Sequence, residues 1–276
     1  MSGKLYLVAT PIGNLEDITF RAINVLKQVD IIAAEDTRHT LKLLNYYEIS
    51  KPLISYHRHN EDVKSDILIN KLKEGNNIAI VTDAGTPGIS DPGEELVKEA
   101  IKNNIEIIPI PGACALINAL ISSGLNTKEF AFYGFLPLNK KNRKNVLDRI
   151  KKEDKTIILY EAPHKLIKTL LDIMEEIGDI NCVLAKELTK IHEEFIRDTI
   201  SKIINLMKNK ESIKGEYIIL LDMNNNKIIE ENDITRKNIE EQYEFYKEQG
   251  MSKKEIIKQI SKNKNVSKNE IYKLFI

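Results

Sequence analysis

Asp83-Ala84-Gly85-Thr86-Pro87-Gly88-Ile89-Ser90-Asp91-Pro92-Gly93 follows directly on the apolar run Ile78 to Val81. A short β-branched run that ends in three glycines and two prolines reads as a buried strand leaving a sheet through a loop whose main chain closely approaches another group. In open α/β sheets, ligands sit in the crevice beyond the carboxyl ends of parallel strands. Two other loops have the same character. Thr10-Pro11-Ile12-Gly13-Asn14-Leu15-Glu16-Asp17 follows the run Leu5 to Ala9, and Pro111-Gly112-Ala113-Cys114-Ala115 follows Glu106 to Ile110. Three such loops on one sheet edge define a cavity walled by main chain, suited to a flat, polar, multi-atom cofactor. The chain has no G-x-x-x-x-G-K-[ST] and no G-x-G-x-x-G opening a helix after the first strand, which disfavours a phosphate loop and an ordinary dinucleotide site.

Outward from that loop, short apolar runs alternate with helical spacings from Leu5 to Ser123, the pattern of a parallel sheet wrapped by helices. The expected helices run over 18–29, 63–73, 93–103 and 113–123. After the polar stretch Asn126 to Glu129 a second α/β set begins, with strands expected at 130–135, 156–160, 181–185 and 217–221 and helices at 140–151, 165–177 and 200–208. The fold class expected is therefore α/β: two α/β lobes, residues 1–126 and 127–225, then a polar linker from Asn224 to Asp233 and a small three-helix tail over 233–276. In the tail Ser252 with Glu255, and Ser267 with Glu270, fit the capping box. Ile239, Tyr243 and Tyr246, Ile256, Ile257 and Ile260, and Ile271, Leu274 and Phe275 supply a miniature core. From Lys253 onward seven lysines face two acids, the balance a small nucleic-acid-docking module needs; a terminal bundle used only for packing is the alternative.

The 276 residues include 41 Lys+Arg and 41 Asp+Glu, so any basic surface must be local. Cys114 and Cys182 lie far apart, with no metal-ligand spacing around them, and no metal is expected. Leu5 to Ala9 is too short for a signal-peptide core and no apolar run approaches a membrane span, so a soluble cytoplasmic protein with no membrane partner is expected.

Charge gathers at the strand exits. Ala34-Glu35-Asp36-Thr37-Arg38-His39-Thr40 and Tyr56-His57-Arg58-His59-Asn60-Glu61 offer Arg and His groups for phosphate or ribose contacts, or a helix cap with a local ion pair. In the second set Tyr160-Glu161-Ala162-Pro163-His164, Lys186-Glu187-Leu188-Thr189-Lys190 and Gly215-Glu216 are candidates for proton-accepting, orienting or cofactor-contacting roles, or for ion pairs between the lobes.

In order, A-T-P-I-G-N-L-E-D, A-x-E-D-T-R, D-A-G-T-P-G-I-S-D-P-G, P-G-A-x-A, G-F-L-P, Y-E-A-P-H, K-E-L-T-K-x-H-E-E and G-E-Y resemble the ribosomal RNA small subunit methyltransferase I family of the tetrapyrrole methylase superfamily, over essentially the whole chain. The resemblance implies the bilobal fold, a homodimer, and S-adenosylmethionine in the cleft between lobes. It further implies 2′-O-methylation of a cytidine ribose in 16S rRNA of the assembled small ribosomal subunit. It places cofactor contacts on Pro11, Asp83, Ala84, Gly85, Thr86, Ala113, Cys114, Ala115, Tyr160, Glu161, Ala162 and Ala185. Ala84-Gly85-Thr86 stands where tetrapyrrole relatives carry Gly-Gly-Asp, and His57-Arg58-His59-Asn60 where His-Glu-His-Asn is usual. Glu161, Lys186, Glu187 and Lys190 are the candidate catalytic groups for taking the hydroxyl proton or orienting the sugar. Arg38, His57 and Asn60, with Lys253, Lys254, Lys268 and Lys273 of the tail, are the candidate RNA contacts. Two rivals are a methylase of the same fold acting on a tetrapyrrole or a modified histidine, and a noncatalytic RNA-binding protein that senses the cofactor.

Overall fold

The computed structural model describes residues 2–224, 238–248, 250–264 and 266–275. Its first sheet holds β1 (Leu5–Val8), β2 (Ile31–Ala34), β3 (Leu53–Ser55), β4 (Ile78–Val81) and β5 (Ile107–Ile110), all parallel, in the order β3-β2-β4-β1-β5. Parallel connections need crossover helices, which cover both faces, and this is why β2 and β4 are buried along their whole length. One face packs Leu68 and Leu72 of α3 (Glu61–Lys73) and Leu96 and Ala100 of α4 (Glu94–Lys102). The other packs Ala22 and Leu26 of α1 (Phe20–Gln28) and Leu44 of α2 (Thr37–Tyr46). The strand order reverses beside β1, so the loops after β1, β4 and β5 emerge side by side.

Helix α2 was not among the expected elements. Its N-cap is Asp36, whose side chain accepts from the Arg38 N–H at 2.8 Å, while the Arg38 guanidinium pairs with the same carboxylate at 3.0 Å. The cap with a local ion pair is thus the arrangement this charged cluster adopts, and Arg38 draws Asp36 down to about 2.

The second sheet is mixed. It contains β6 (Phe130–Phe135), β7 (Thr156–Glu161), β8 (Asn181–Lys186), β9 (Glu194–Thr199) and β10 (Tyr217–Asp222) in the order β6-β7-β10-β8-β9, with only β6 and β7 parallel. Strand β9, also unforeseen, is an edge strand carrying Glu194, Arg197 and Asp198; such charges guard an edge against further pairing and mask the apolar alternation of a strand. One face of the sheet packs on α6 (Lys140–Ile150), α7 (Leu166–Glu176) and α8 (Ile200–Lys208).

The opposite face is covered from the other half of the chain. Leu116, Ala119 and Leu120 of α5 (Ala115–Ser123) pack against Ile158, Val183, Ala185, Ile218 and Leu220. Burying the two leucines is worth about 1.5–3 kcal/mol each, so apolar contact supplies most of this adhesion. Polar contacts fix the angle: the Leu116 N–H donates to Tyr160 Oη at 3.2 Å, and the Arg197 guanidinium donates to the carbonyls of Ser122 and Ser123 at the far end.

In the tail, α9 (Ile239–Glu248), α10 (Lys253–Lys264) and α11 (Lys268–Leu274) enclose Tyr246, Ile256, Ile257, Ile260 and Ile271. Glu255 accepts from the Ser252 N–H, and Ser267 with Glu270 forms the expected box. Leu274, expected in the core, is 58% exposed; Phe275 fills that role by stacking on Tyr243 at 4.1 Å. The linker expected over 224–233 lies, beyond Asn224, outside the described residues. Among the described residues no helix is long and apolar enough to cross a membrane.

Candidate functional site

The three main-chain loops are bonded to one another. Thr10 and Gly85 exchange backbone hydrogen bonds of 2.9 and 3.0 Å, the Thr10 hydroxyl donates to the Thr82 carbonyl, and Thr86 donates to the Ala113 carbonyl at 3.1 Å. Gly85 adopts φ +81°, and a Cβ there would lie 3.3 Å from Ile12 Cγ2. Both the left-handed backbone and the close approach demand glycine. Gly13 is pressed against the second half of the chain: a Cβ would lie 2.5 Å from Lys190 Cγ, and the neighbouring Asn14 N–H donates to Thr189 Oγ1 at 3.1 Å.

These loops and the second sheet enclose a cavity of about 320 Å³. Its walls include Ala84, Gly85, Thr86, Cys114, Ala115, Tyr160, Glu161, Ala162 and Ala185, nine of the twelve residues expected around a cofactor. Ala113 holds Thr86 from behind, while Pro11 and Asp83 line an adjoining cavity of about 430 Å³ that shares Ile12, Ala84 and Glu216 with the first. Phe135 and Tyr160 set their rings edge to face at 5.7 Å on the first cavity's wall. No Lys, Arg or His lines this cavity; its carboxyl groups are Asp91, Glu161 and Glu216.

The acids and bases expected to act on substrate have distinct environments. Glu161 is buried, with Oε1 accepting from the Ala162 N–H at 2.8 Å and Oε2 from the Thr169 hydroxyl. Thr169 Oγ1 in turn accepts from Arg143 at 2.7 Å, and Arg143 pairs with Asp172 at 2.5 Å. Both oxygens of Glu161 are thus engaged in holding the turn after β7. Glu187, at φ +51°, accepts from Lys190 Nζ and from the Glu216 N–H, each at 2.9 Å. Burial would raise its carboxyl, but the Lys190 contact and the Glu216 N–H outweigh burial and hold it below the usual range. Lys190 also pairs with Glu216 at 3.1 Å and lines the second cavity, whereas Lys186 ends β8 opposite Tyr217 and lines neither.

A carboxylate that sequence reasoning did not single out stands in the first cavity. Asp91 is half-buried, makes no hydrogen bond or ion pair among the described residues, and is pushed up to about 6 by burial and then by Glu35, with Arg58 opposing. Burial and then Asp83 raise Glu35 in the same way. The Arg58 guanidinium donates to the Ser90 carbonyl and so pins the loop that carries Asp91. These groups are far apart in sequence, and only the sheet brings them together.

The expected RNA contacts divide. His57 and Asn60 meet, but in each other's service: Asn60 Oδ1 accepts from the His57 N–H at 2.9 Å and Asn60 Nδ2 donates to Ser55 Oγ at 3.2 Å. Arg38 is exposed beside Asp36. In the tail Lys254, Lys268 and Lys273 are exposed with no ion pair among the described residues, while Lys253 donates to the Phe275 carbonyl at 2.9 Å. No group of three or more candidate metal ligands exists among the described residues.

A parallel sheet joined to a mixed sheet across an acid-lined cavity is the architecture of a methylase class, and the family model for Tetrapyrrole (Corrin/Porphyrin) Methylases matches residues 4–204. Over 275 residues the chain is 48% identical to a protein of Bacillus subtilis (strain 168) named ribosomal RNA small subunit methyltransferase I, covering 98% of this chain and 93% of that one. A protein of the same name from Synechocystis sp. is 45% identical over 273 residues, covering 99% and 97%. A crystal structure of diphthine synthase shares the fold, with TM-score 0.64 and 15% identity, over 79% of this chain and 90% of that one. The chain belongs to the tetrapyrrole methylases and, within them, to the ribosomal RNA small subunit methyltransferase I family. It is an S-adenosylmethionine-dependent methyltransferase.

The first cavity fits that cofactor. A sulfonium cation with an aromatic purine calls for anionic and aromatic walls and for backbone close enough to meet polar edges. The carboxyl groups of Asp91, Glu161 and Glu216, the rings of Phe135 and Tyr160, and the Gly85 bend supply these.

Proposed function

We propose that the protein methylates the ribose 2′-oxygen of a cytidine in 16S rRNA of the small ribosomal subunit. The observation that carries this reading is the near-full-length identity to relatives named for small-subunit rRNA; the motif resemblance supplies the cytidine 2′-oxygen. We read residues 1–126 and 127–225 as the two lobes that hold the donor and residues 233–276 as a tail that docks on rRNA through Lys253, Lys254, Lys268 and Lys273. A homodimer and a cytoplasmic location belong to the same reading. Ile117 and Ile121, one turn apart on α5 and 40% and 66% exposed, are an apolar face that a second copy would cover.

When bound, S-adenosylmethionine supplies an electrophilic methyl carbon whose bond to sulfur breaks as the carbon–oxygen bond forms, the electron pair returning to sulfur. The chain's own task is to place the hydroxyl in line, exclude water and receive one proton. Asp91 is the proton acceptor in this reading, because it alone among the first cavity's carboxylates is half-buried and without a partner. Glu161 acts at one remove, fixing the Tyr160–Ala162 wall, and the Glu187–Lys190–Glu216 cluster orients the opposite rim.

The test is transfer of labelled methyl from S-adenosylmethionine to purified small subunits that lack the modification, followed by nuclease digestion. Label in 2′-O-methylcytidine from the 16S strand is expected. Label in another nucleoside, or in no nucleoside, rejects the proposal.

A further inference from the structure

The second cavity is built by a helix face that the catalytic reading leaves unused. His39, Lys42, Leu43 and Tyr46 recur at intervals of three and four along α2, so they share one face, and all four line this cavity with the Thr10–Gly13 bend, Leu15, Asp83 and Ala84. Its far wall is Lys190 and Glu216 of the other sheet. The wall is held in place from behind: Tyr47 donates to the Leu15 carbonyl at 2.5 Å and meets the Tyr46 ring edge-on at 4.9 Å. Tyr46 nevertheless remains 63% exposed, an aromatic ring at the mouth of a polar cavity.

The charges here are of two kinds. Lys190 is neutralised by Glu187 and Glu216. Lys42 is exposed and has no ion-pair partner among the described residues, and Arg38, one turn earlier, is already held by Asp36. A free cation and an exposed ring on one helix face, 430 Å³ of space below them, and a shared boundary with the donor cavity at Ile12, Ala84 and Glu216 call for a specific ligand. Such a ligand is anionic at one end, aromatic at the other, and has a middle that reaches the first cavity. A single nucleotide unit of an RNA strand has this chemistry.

We propose that the second cavity holds the target nucleotide, with its base against Tyr46 and a flanking phosphate at Lys42 and His39, so that the ribose faces the first cavity across Ile12 and Ala84. This rests on the rRNA reading above and deepens it by naming the receiving pocket. Unpaired bases stack on aromatic rings whatever their sequence, and lysine–phosphate contacts weaken as salt rises.

The test uses the full-length protein with small subunits and labelled S-adenosylmethionine, comparing Tyr46→Ala, Tyr46→Phe, Lys42→Ala and Lys42→Arg with the unsubstituted chain. Tyr46→Ala is expected to raise KM for subunits about tenfold, with Tyr46→Phe close to wild type. Lys42→Ala is expected to raise KM several-fold and to lower the slope of log affinity against log salt by about one, with Lys42→Arg retaining the slope. Calorimetric affinity for S-adenosylmethionine and melting temperature should stay unchanged in all four, since none of these side chains lines the donor cavity. Unchanged KM and salt slope in Tyr46→Ala and Lys42→Ala, alongside normal labelling by the unsubstituted protein, overturn this inference and leave the rRNA reading standing. Absence of labelled RNA with the unsubstituted protein, or label recovered in a ribosomal protein, overturns both.

Discussion

Two cavities that share Ile12, Ala84 and Glu216 differ in what their walls are made of. The first is bounded by bends of main chain, two aromatic rings and carboxyl groups, with no basic side chain. The second is bounded by one helix face and carries His39, Lys42 and Lys190. Adjacent spaces of opposite character suit a reaction that joins a cationic donor to a polyanionic acceptor. Each wall favours its own ligand and repels the other, so selectivity arises before any chemistry.

The comparison is broken most directly at Asp91, the ionisable group that the first cavity leaves free. Asp91→Asn should lower kcat about 100-fold or more at pH 7.5 in the subunit assay while binding of S-adenosylmethionine survives. In the unsubstituted protein, log kcat should climb with pH up to about 6 and level off beyond it. Stability should move the other way. The folded-state value, about 6, lies above the ordinary 3.8, so the native state holds its proton more tightly and loses stability as pH rises between those values. Asp91→Asn should therefore melt higher than the unsubstituted chain at pH 7.5, and a lower melting temperature there would contradict the burial argument.

Gly85→Val probes the main-chain wall. A β-branched residue at φ +81° adds backbone strain and a clash with Ile12, together about 3 kcal/mol, or about a 100-fold loss of cofactor affinity by calorimetry. Undiminished affinity in a folded variant would place the donor elsewhere. Removing residues 233–276 should weaken subunit binding about tenfold in filter assays and leave cofactor affinity alone, because the lost contacts are to phosphate. Equal loss of both would show that the tail supports the cavities rather than the RNA. The smallest effect is expected at Thr169→Val, which takes a donor from buried Glu161. It should cost about 1–3 kcal/mol in urea unfolding, with cofactor affinity changed only a few-fold.

The strand-to-loop pattern around Ile78–Gly93 was legible from the chain because its signal is local: β-branched residues followed by glycine and proline. The capping serines of the tail were legible for the same reason. Helix α2 was not, since the charges at Glu35 to His39 that read as chemistry also form its cap, and only Thr40 and Leu44 of the helix are buried. With α2 missed, the shared face of His39, Lys42 and Tyr46 was missed too, although the spacing is present in the sequence. Strand β9 was hidden by the charges that protect its edge. Asp91 lay inside the quoted loop, but its character comes from Glu35, Asp83 and Arg58, which reach it only through strand order. Sequence spacing likewise did not indicate that Glu161 would be spent on Ala162 and Thr169, or that His57 and Asn60 would bond to each other.

Helix α5 precedes the second sheet in the chain but buries its leucines beneath it, with Tyr160 and Arg197 gripping its two ends. A polypeptide severed between Gly124 and Phe130 would leave each fragment with an oily surface that only the other fragment can shield. Such fragments should aggregate when produced singly and reassociate when produced together. The same dependence restricts shuffling among homologues: a hybrid that exchanges residues 130–222 must import a matching α5, or its halves will not seat.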